Sequence, residues 1–486
     1  MTDPSTDRIL VIDVGTSSLR AAVVGRDARV GAVHHRPLLP DSPAPGLVEF
    51  DGTAMAAAVL EVARGALAEG GPVAAVGVTN QRASTLVWDR ATGEPVAPGL
   101  GWQDLRTIGT CLELAAEGIR VAPNLSATKA HALLDAVDPD RSRDLCVGTV
   151  DSWIVWTLSQ GALHVTDPTN AALTGLLVPE ATGWDDAVLD RLRIPRSALP
   201  EVVDSVGVVG PATALDGAPP IAGIAGDQQA SLAGQGCFSP GDAKATFGTG
   251  GMLDVCIGPD RPRFATRGSA GAFPIVTLGR NGALTWGVEA AMLSAGTNVE
   301  WLRDDMGLIA DAAESHAVAA TVADTEGVAY VPALLGLGAP YWDYGARGTL
   351  LGITRGSGRA HVVRAVLEGV AQRGADLVEA AEADGGLSIA ALRVDGGMSD
   401  NPTFVQALAD AVQRPIEVSP EREATTVGAG FLAGLAVGTW SGPDELAALW
   451  SPREVVEPER VLDRDRWREA VRRAERWFGD LSDLDF

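Results

Sequence analysis

Apolar residues arrive in two rhythms along this chain. The first is a short apolar run closed by polar residues or glycine. "RILVIDVGTSSLRAAVVG" (8–25) reads as two strands around a tight polar turn, Gly15 to Ser18. "AVGVTNQR" (75–82) is a strand ending in polar groups, and "STLVWDRATGEPV" (84–96) continues as strand, turn and strand. "IAGIAGDQQASLAGQG" (221–236) opens as an apolar strand and delivers Asp227, Gln228 and Gln229 at its end. "DAKATFGTGGMLDVCIG" (242–258) repeats the opening shape, with Gly-Thr-Gly at the turn. Two glycine-threonine hairpins half a chain apart are a weak sign of duplicated architecture.

The second rhythm places apolar residues three or four apart, and it dominates the second half. It predicts helices in 287–307 and 360–383. "LRVDGGMSDNPTFVQALADAV" (392–412) reads as strand, glycine turn and helix. Ser399, Asp400 or Asn401 could cap that helix, and Pro402 suits its first turn. "VGAGFLAGLAVG" (427–438) predicts a close-packed helix of small residues, and the charged stretch from Arg453 a solvated helix. Strands alternating with helices predict an α/β protein.

Composition narrows the functions. At 486 residues, 46% apolar, the chain has room for two to four domains with large cores. A net charge of −25 argues against nucleic acid and anionic membrane as partners. No apolar stretch is long enough to cross a bilayer, and the N-terminus lacks a basic-then-apolar leader. The four cysteines form no C-x-x-C pair and read as reduced thiols of a cytoplasmic protein. The six histidines have no metal-ligand spacing; His34 and His35 are adjacent in a predicted strand and point to opposite faces. Lys129 and Lys244, the only lysines, do not complete a P-loop. The Rossmann glycine fingerprint and the protein-kinase motifs are absent too. The Gly-Thr turns remain, as plain hairpin turns or as nests of backbone N–H groups for phosphate.

Taken together, several segments resemble the FGGY carbohydrate kinases, and within them the glycerol kinases. "DVGTSSLRA" (13–21) is similar to that family's first phosphate loop, and "VTNQR" (78–82) and "TGEPVAPGLGWQDLRT" (92–107) to its substrate strands. "PIAGIAGDQQASLAGQGCFSPGDAKATFGTGG" (220–251), "VPALLGLGAPYWDYGARGTLLGITRG" (331–356) and "LRVDGGMSDNPTFVQALAD" (392–410) continue the resemblance in chain order. It implies two actin-like (ribonuclease-H-like) α/β domains around a central cleft, 1–243 and 244–486, one hairpin in each. It also implies ATP and Mg²⁺ as cofactors, a small polyol or sugar as substrate, and a homodimer or homotetramer. A degenerate ATP-binding protein with a regulatory, non-catalytic role is the alternative.

The resemblance assigns roles residue by residue. Asp227 matches the catalytic base, which a poorly nucleophilic hydroxyl needs to accept its proton; it also faces the metal. Asp13 matches the group that positions Mg²⁺ through water. Thr16, Ser17, Ser18 and Arg20 match phosphate contacts of the first loop, and Thr249 and Gly250 those of the second. Gly296, Gly397 and Asn401 match nucleotide contacts, with Glu300 where the relatives can have Gln. For Gly296 a helix-packing role fits nearly as well. Arg82, Trp102 and Gln228 match substrate contacts.

The substrate pocket departs from the pattern. Ala83 stands where glycerol kinases have Glu, Asn124 where they have Tyr, Met252 where they have Phe, and Ala132 where a Trp is expected. Glu→Ala and Tyr→Asn both remove volume, which predicts a four- or five-carbon substrate with glycerol a poor one. The segment 209–220 has no Lys or Arg, so the basic loop that binds a sugar bisphosphate in some relatives has no counterpart.

Overall fold

A computed structural model describes residues 7–420 and 423–485. Its spine is one 13-stranded sheet shared by both halves of the chain. In the N-terminal half, Arg8–Val14, Ala75–Asn80 and Pro220–Gly226 lie side by side and parallel. Their apolar residues are buried on both faces, as parallel strands require. Ser18–Gly25 folds back on the first strand, and His34–Pro37 adds an edge. In the C-terminal half, the hairpin Ala243–Phe247 and Gly251–Gly258 has Leu392–Asp395 parallel on one side and Ala283–Met292 antiparallel on the other.

Two helices organise the packing. Arg359–Gly385 runs through the C-terminal core, with Val363, Val366, Val370 and Leu377 fully buried. Ala424–Val437, late in the chain, packs instead in the core with Val11, Ala222 and Ala230 of the N-terminal half. It meets the helix Asp227–Gly234 backbone to backbone: a Cβ on Gly428 would fall 1.7 Å from the Ala230 carbonyl oxygen, and one on Gly234 1.9 Å from that of Ala424. The small-residue pattern is the requirement for that approach.

Three sequence expectations are corrected. The stretch 287–307 is not one helix: Ala283–Met292 is a strand, and the helix begins at Thr297. That strand is paired and buried on both sides, so its apolar run carries no period that separates it from a buried helix. In 84–96, Thr85–Asp89 is a strand, but its return shrinks to a single bridge, Trp88 to Pro95, because proline has no N–H for a ladder. The stretch after Arg453 first makes an edge strand, Glu454–Val456. Its helix, Arg464–Ala474, is not solvated all round: it buries Trp467, Ala470, Val471 and Ala474.

Candidate active site

Val14, Asn80 and Gly226 stand level at the ends of the three parallel strands. The chain therefore brings Gly15, Gln81–Arg82 and Asp227 out at one edge, where ligands bind in open α/β sheets. Gly226 has a local reason to be glycine: a Cβ there would fall 2.7 Å from the Arg82 stem. Its N–H donates to Thr169 Oγ1 at 2.9 Å, which fixes the strand end. Asp227 is the first residue of a helix rather than part of a turn. Its Oδ1 accepts from the Gln228 N–H at 2.8 Å and lies 3.4 Å from Arg82 Nε. Burial pushes its carboxyl above the usual range, against the pull of Arg82 and Lys244. A raised carboxylate pKa suits a proton acceptor at neutral pH.

Behind Asp227 lies a buried charge network that the sequence analysis did not single out. Arg82 makes a two-pronged pair with Glu289, Nη1 to Oε2 at 2.6 Å and Nη2 to Oε1 at 3.0 Å. Asp254 is directly opposite Glu289 in the sheet, and its Oδ2 is 2.7 Å from Lys244 Nζ. Lys244 also donates to Gln228 Oε1 at 2.5 Å and to Thr246 Oγ1 at 3.1 Å. Burial, with Asp254 adding to it, pushes Glu289 up, while Arg82 opposes. Asp254 is held below its usual value: burial works the other way, but Lys244, a hydrogen bond with Glu289 and Arg82 outweigh it. Asp395, raised by burial, accepts from Ser231 Oγ at 3.2 Å. The available signal was a charged residue inside an apolar strand: Lys244 in "AKATF", Asp254 in "GMLDVCIG" and Glu289 in "ALTWGVEAAM".

The first loop gathers its predicted residues. Gly15 N–H donates to the Ser18 carbonyl at 2.9 Å and closes the turn. Thr16 Oγ1 accepts from Trp102 Nε1 at 3.1 Å, which ties the first loop to the segment after Leu100; Ser17 is exposed. Asp13 is only 4% exposed and sits 3.4 Å from Arg20 Nε. Burial pushes its carboxyl up to about 7; Arg20 opposes, and the charges of Asp227 and Glu423 add. Asp13 precedes Val14 and Asp227 follows Gly226, so both lie at the edge where the parallel strands end. Arg20 is also paired with Glu423.

The second loop and Gly296 also meet. Gly296 N–H donates to the Gly248 carbonyl and Ala295 N–H to the Thr249 carbonyl, both at 2.8 Å. A Cβ on Gly296 would fall 2.6 Å from Gly248 O, and one on Gly250 2.9 Å from Met292 O. Backbone packing thus accounts for both glycines, while the Thr249 side chain stays exposed. Thr246 is level with Asp395, so Gly396 and Gly397 come out beside this turn. Gly397 is exposed with open space around its α-carbon. Asn401 caps the helix Pro402–Val412, accepting from Phe404 N–H at 3.1 Å and donating to Ser315 Oγ at 2.8 Å. Glu300 is exposed on the helix Thr297–Asp304.

Of the residues matched to substrate contacts, Ala83 follows Arg82 at φ +62°, buried, with its carbonyl accepting from Ser126 Oγ at 3.0 Å. A non-glycine residue in the left-handed region is strained, and such strain gathers at functional sites. Met252 is half-buried opposite Ala291. Asn124 is exposed, and no hydrogen bond or ion pair among the described residues ties it or Glu300 to Asp227. No group of three or more His, Cys, Asp or Glu side chains among the described residues could enclose a metal ion. Two neighbouring carboxylates with raised pKa values, Asp13 and Asp227, nevertheless fit a hydrated divalent cation, whose charge would favour their ionised forms.

Comparison with known proteins gives the family and the fold. The N-terminal domain model of the FGGY family of carbohydrate kinases matches residues 8–234, and its C-terminal domain model residues 243–437. A glycerol kinase of Aromatoleum aromaticum is 44% identical, covering 96% of this chain and 99% of its own length. One of Aeromonas salmonicida is 42% identical over 96% and 98%. Among solved structures, Plasmodium falciparum glycerol kinase with ADP superposes with a TM-score of 0.89 at 28% identity, covering 96% of this chain and 98% of that one. A Lactobacillus acidophilus xylulose kinase shares the fold at a TM-score of 0.82, 22% identity and 95% coverage of each chain. The two-domain, actin-like α/β fold is the one expected from the sequence, and the chain is an ATP-dependent enzyme of its class: it belongs to the FGGY family of carbohydrate kinases.

Proposed function

We propose that this kinase transfers the γ-phosphoryl group of ATP to a hydroxyl of a small polyol or sugar, with Asp227 as general base. The observation that carries this is the placement of Asp227: half-buried, raised by that burial, and 3.4 Å from Arg82 at the edge where three strands end. The hydroxyl proton passes to Asp227, the oxygen forms its bond to phosphorus, and the bond to the departing ADP oxygen breaks. Arg82, Gln228 and Trp102 orient the acceptor. Thr16, Ser17, Ser18, Arg20, Thr249 and Gly250 surround the phosphates, with Gly296, Glu300, Gly397 and Asn401 on the nucleoside side. Asp13 and Asp227 would hold Mg²⁺, which supplies charge neutralisation at the phosphates when bound.

The substrate is glycerol or a C4–C5 polyol or ketose. Ala83, Asn124 and Met252 support the longer compounds, because a pocket without the usual Glu and Tyr has more volume and one fewer carboxylate. The proposed domain division is at 243/244, with the helix Ala424–Val437 of the second half returning to the core of the first. Four buried free cysteines support a reducing, cytoplasmic setting, and no helix among the described residues is long and apolar enough to cross a membrane. The 209–220 segment, without a cation, supports no inhibition by fructose bisphosphate. A homodimer or homotetramer is proposed from the family resemblance alone.

The test is ADP release from ATP-Mg with glycerol, dihydroxyacetone, erythritol, threitol, xylitol, ribitol, arabinitol, xylulose and ribulose. A C4 or C5 compound is expected to lead. Glycerol equalling or exceeding all of them in kcat/KM would contradict the longer-substrate reading. No acceptor-dependent release at all would favour a non-catalytic role.

A further inference from the structure

Gln228 has a fixed polarity. Lys244, fully buried, donates to its Oε1. An ammonium has donors only, so it accepts just one orientation of the amide. The oxygen must face Lys244, and the NH₂ group must face away. No described residue accepts from Gln228 Nε2, and the side chain is half-exposed at the site edge beside Asp227. Lys244 is itself held on the far side by Asp254, 2.7 Å away and wholly buried. Arg82 is similarly committed, with both terminal nitrogens on Glu289.

We propose that the Lys244–Asp254 pair is a positioning pair that makes Gln228 a pure donor toward the substrate, so that the balance between ketone and alcohol acceptors depends on this buried pair. Both oxygens accept a hydrogen bond, and only the hydroxyl donates one. An amide turned the other way would present Oε1, pair with the hydroxyl and leave a ketone oxygen facing another acceptor. This rests on the polyol-or-sugar kinase reading.

The experiment compares matched alcohol and ketone acceptors, glycerol with dihydroxyacetone and xylitol with xylulose, by steady-state ADP release. In the wild type the kcat/KM ratio of ketone to alcohol is expected within about tenfold of one. Gln228→Glu keeps the shape and a partner for Lys244 but presents only an acceptor. It should lower the ketone's kcat/KM at least about tenfold more than the alcohol's, an effect of the size expected when a buried polar group is left unpaired. The double variant K244M/D254L removes the buried pair without leaving a lone charge. It should lower the ketone-to-alcohol ratio about fivefold through the acceptor KM, with the ATP KM unchanged, while K244R should largely keep the ratio. ADP binding and thermal melting verify that each variant is folded. A wild type that rejects both ketones by more than about a hundredfold, or a ratio that stays constant across the variants, would overturn the proposal. Absence of acceptor-dependent ADP release from the wild type would instead overturn the kinase reading, and this inference with it.

Discussion

Arg82 and Glu289 meet across the two halves of the chain, guanidinium to carboxylate, at 2.6 and 3.0 Å. Arg82 follows the second parallel strand of the N-terminal half; Glu289 lies inside a strand of the C-terminal half. The pair is buried, so losing one partner leaves the other as an uncompensated charge, at a cost of about 3–5 kcal/mol. Glu289→Ala is therefore expected to lower the melting temperature and to reduce kcat/KM for the acceptor by at least about a hundredfold. Glu289→Gln should be milder in stability, because it retains one hydrogen-bond acceptor. Thermal melts and acceptor kinetics on both variants check this; kinetics unchanged in Glu289→Ala would show that the pair does not hold Arg82 in place.

The glycine contact between the two helices is a second target. Gly428→Ala would place a methyl 1.7 Å from a backbone oxygen of Ala230, in the helix that begins with Asp227. Backbone cannot yield as a flexible side chain does, so a loss of about 2 kcal/mol or more is expected. A urea melt measures it. Activity should fall with stability, because the helix that shifts carries Asp227, the proposed base. Gly442→Ala, where nothing lies within 4 Å of the added atom, is the control and should be nearly neutral.

A buried histidine gives a pH prediction. His164 lies edge-on to Trp88 and Trp156, with Nε2 3.1 Å from the Val147 carbonyl. Burial pushes its pKa down from 6.5 to about 4. The native state keeps the ring neutral while the unfolded chain takes up a proton below pH 6.5, so stability drains away as pH falls from 6.5 toward 4. In His164→Phe that component should vanish. Melting temperatures at pH 7, 6, 5 and 4 should therefore show the wild type losing ground relative to the variant. Parallel curves would refute the assignment.

Much of this was legible in the sequence, for reasons that differ by element. The two Gly-Thr hairpins, the small-residue helix and the Asn401–Pro402 helix start carry local signals, and local structure answered them. The strand Ala283–Met292 was misread because a run buried on both faces has no helical or alternating period. Asp227, the proposed base, was singled out in the sequence, but its position as the first residue of a helix was not, since Gly-Asp also ends turns. The charge network behind it was not foreseen: Lys244, Asp254 and Glu289 lie 10 to 45 residues apart in sequence, as their numbering shows, and meet only through sheet register. Asn401 was matched to nucleotide, yet its side chain is engaged in capping its own helix, so any contact it makes there must share that geometry.

The most direct measurement is the product itself. Wild type and Asp227→Asn, each with ATP-Mg and the best acceptor of the panel, would be followed by mass spectrometry for the phosphorylated acceptor. Asp227 as general base requires that the wild type form the acceptor phosphate in step with ADP, and that Asp227→Asn lose about 10²- to 10⁴-fold in kcat while still binding ADP. Acceptor phosphate formed by Asp227→Asn at the wild-type rate would contradict that role. ADP formed by the wild type without any phosphorylated acceptor would contradict the transfer.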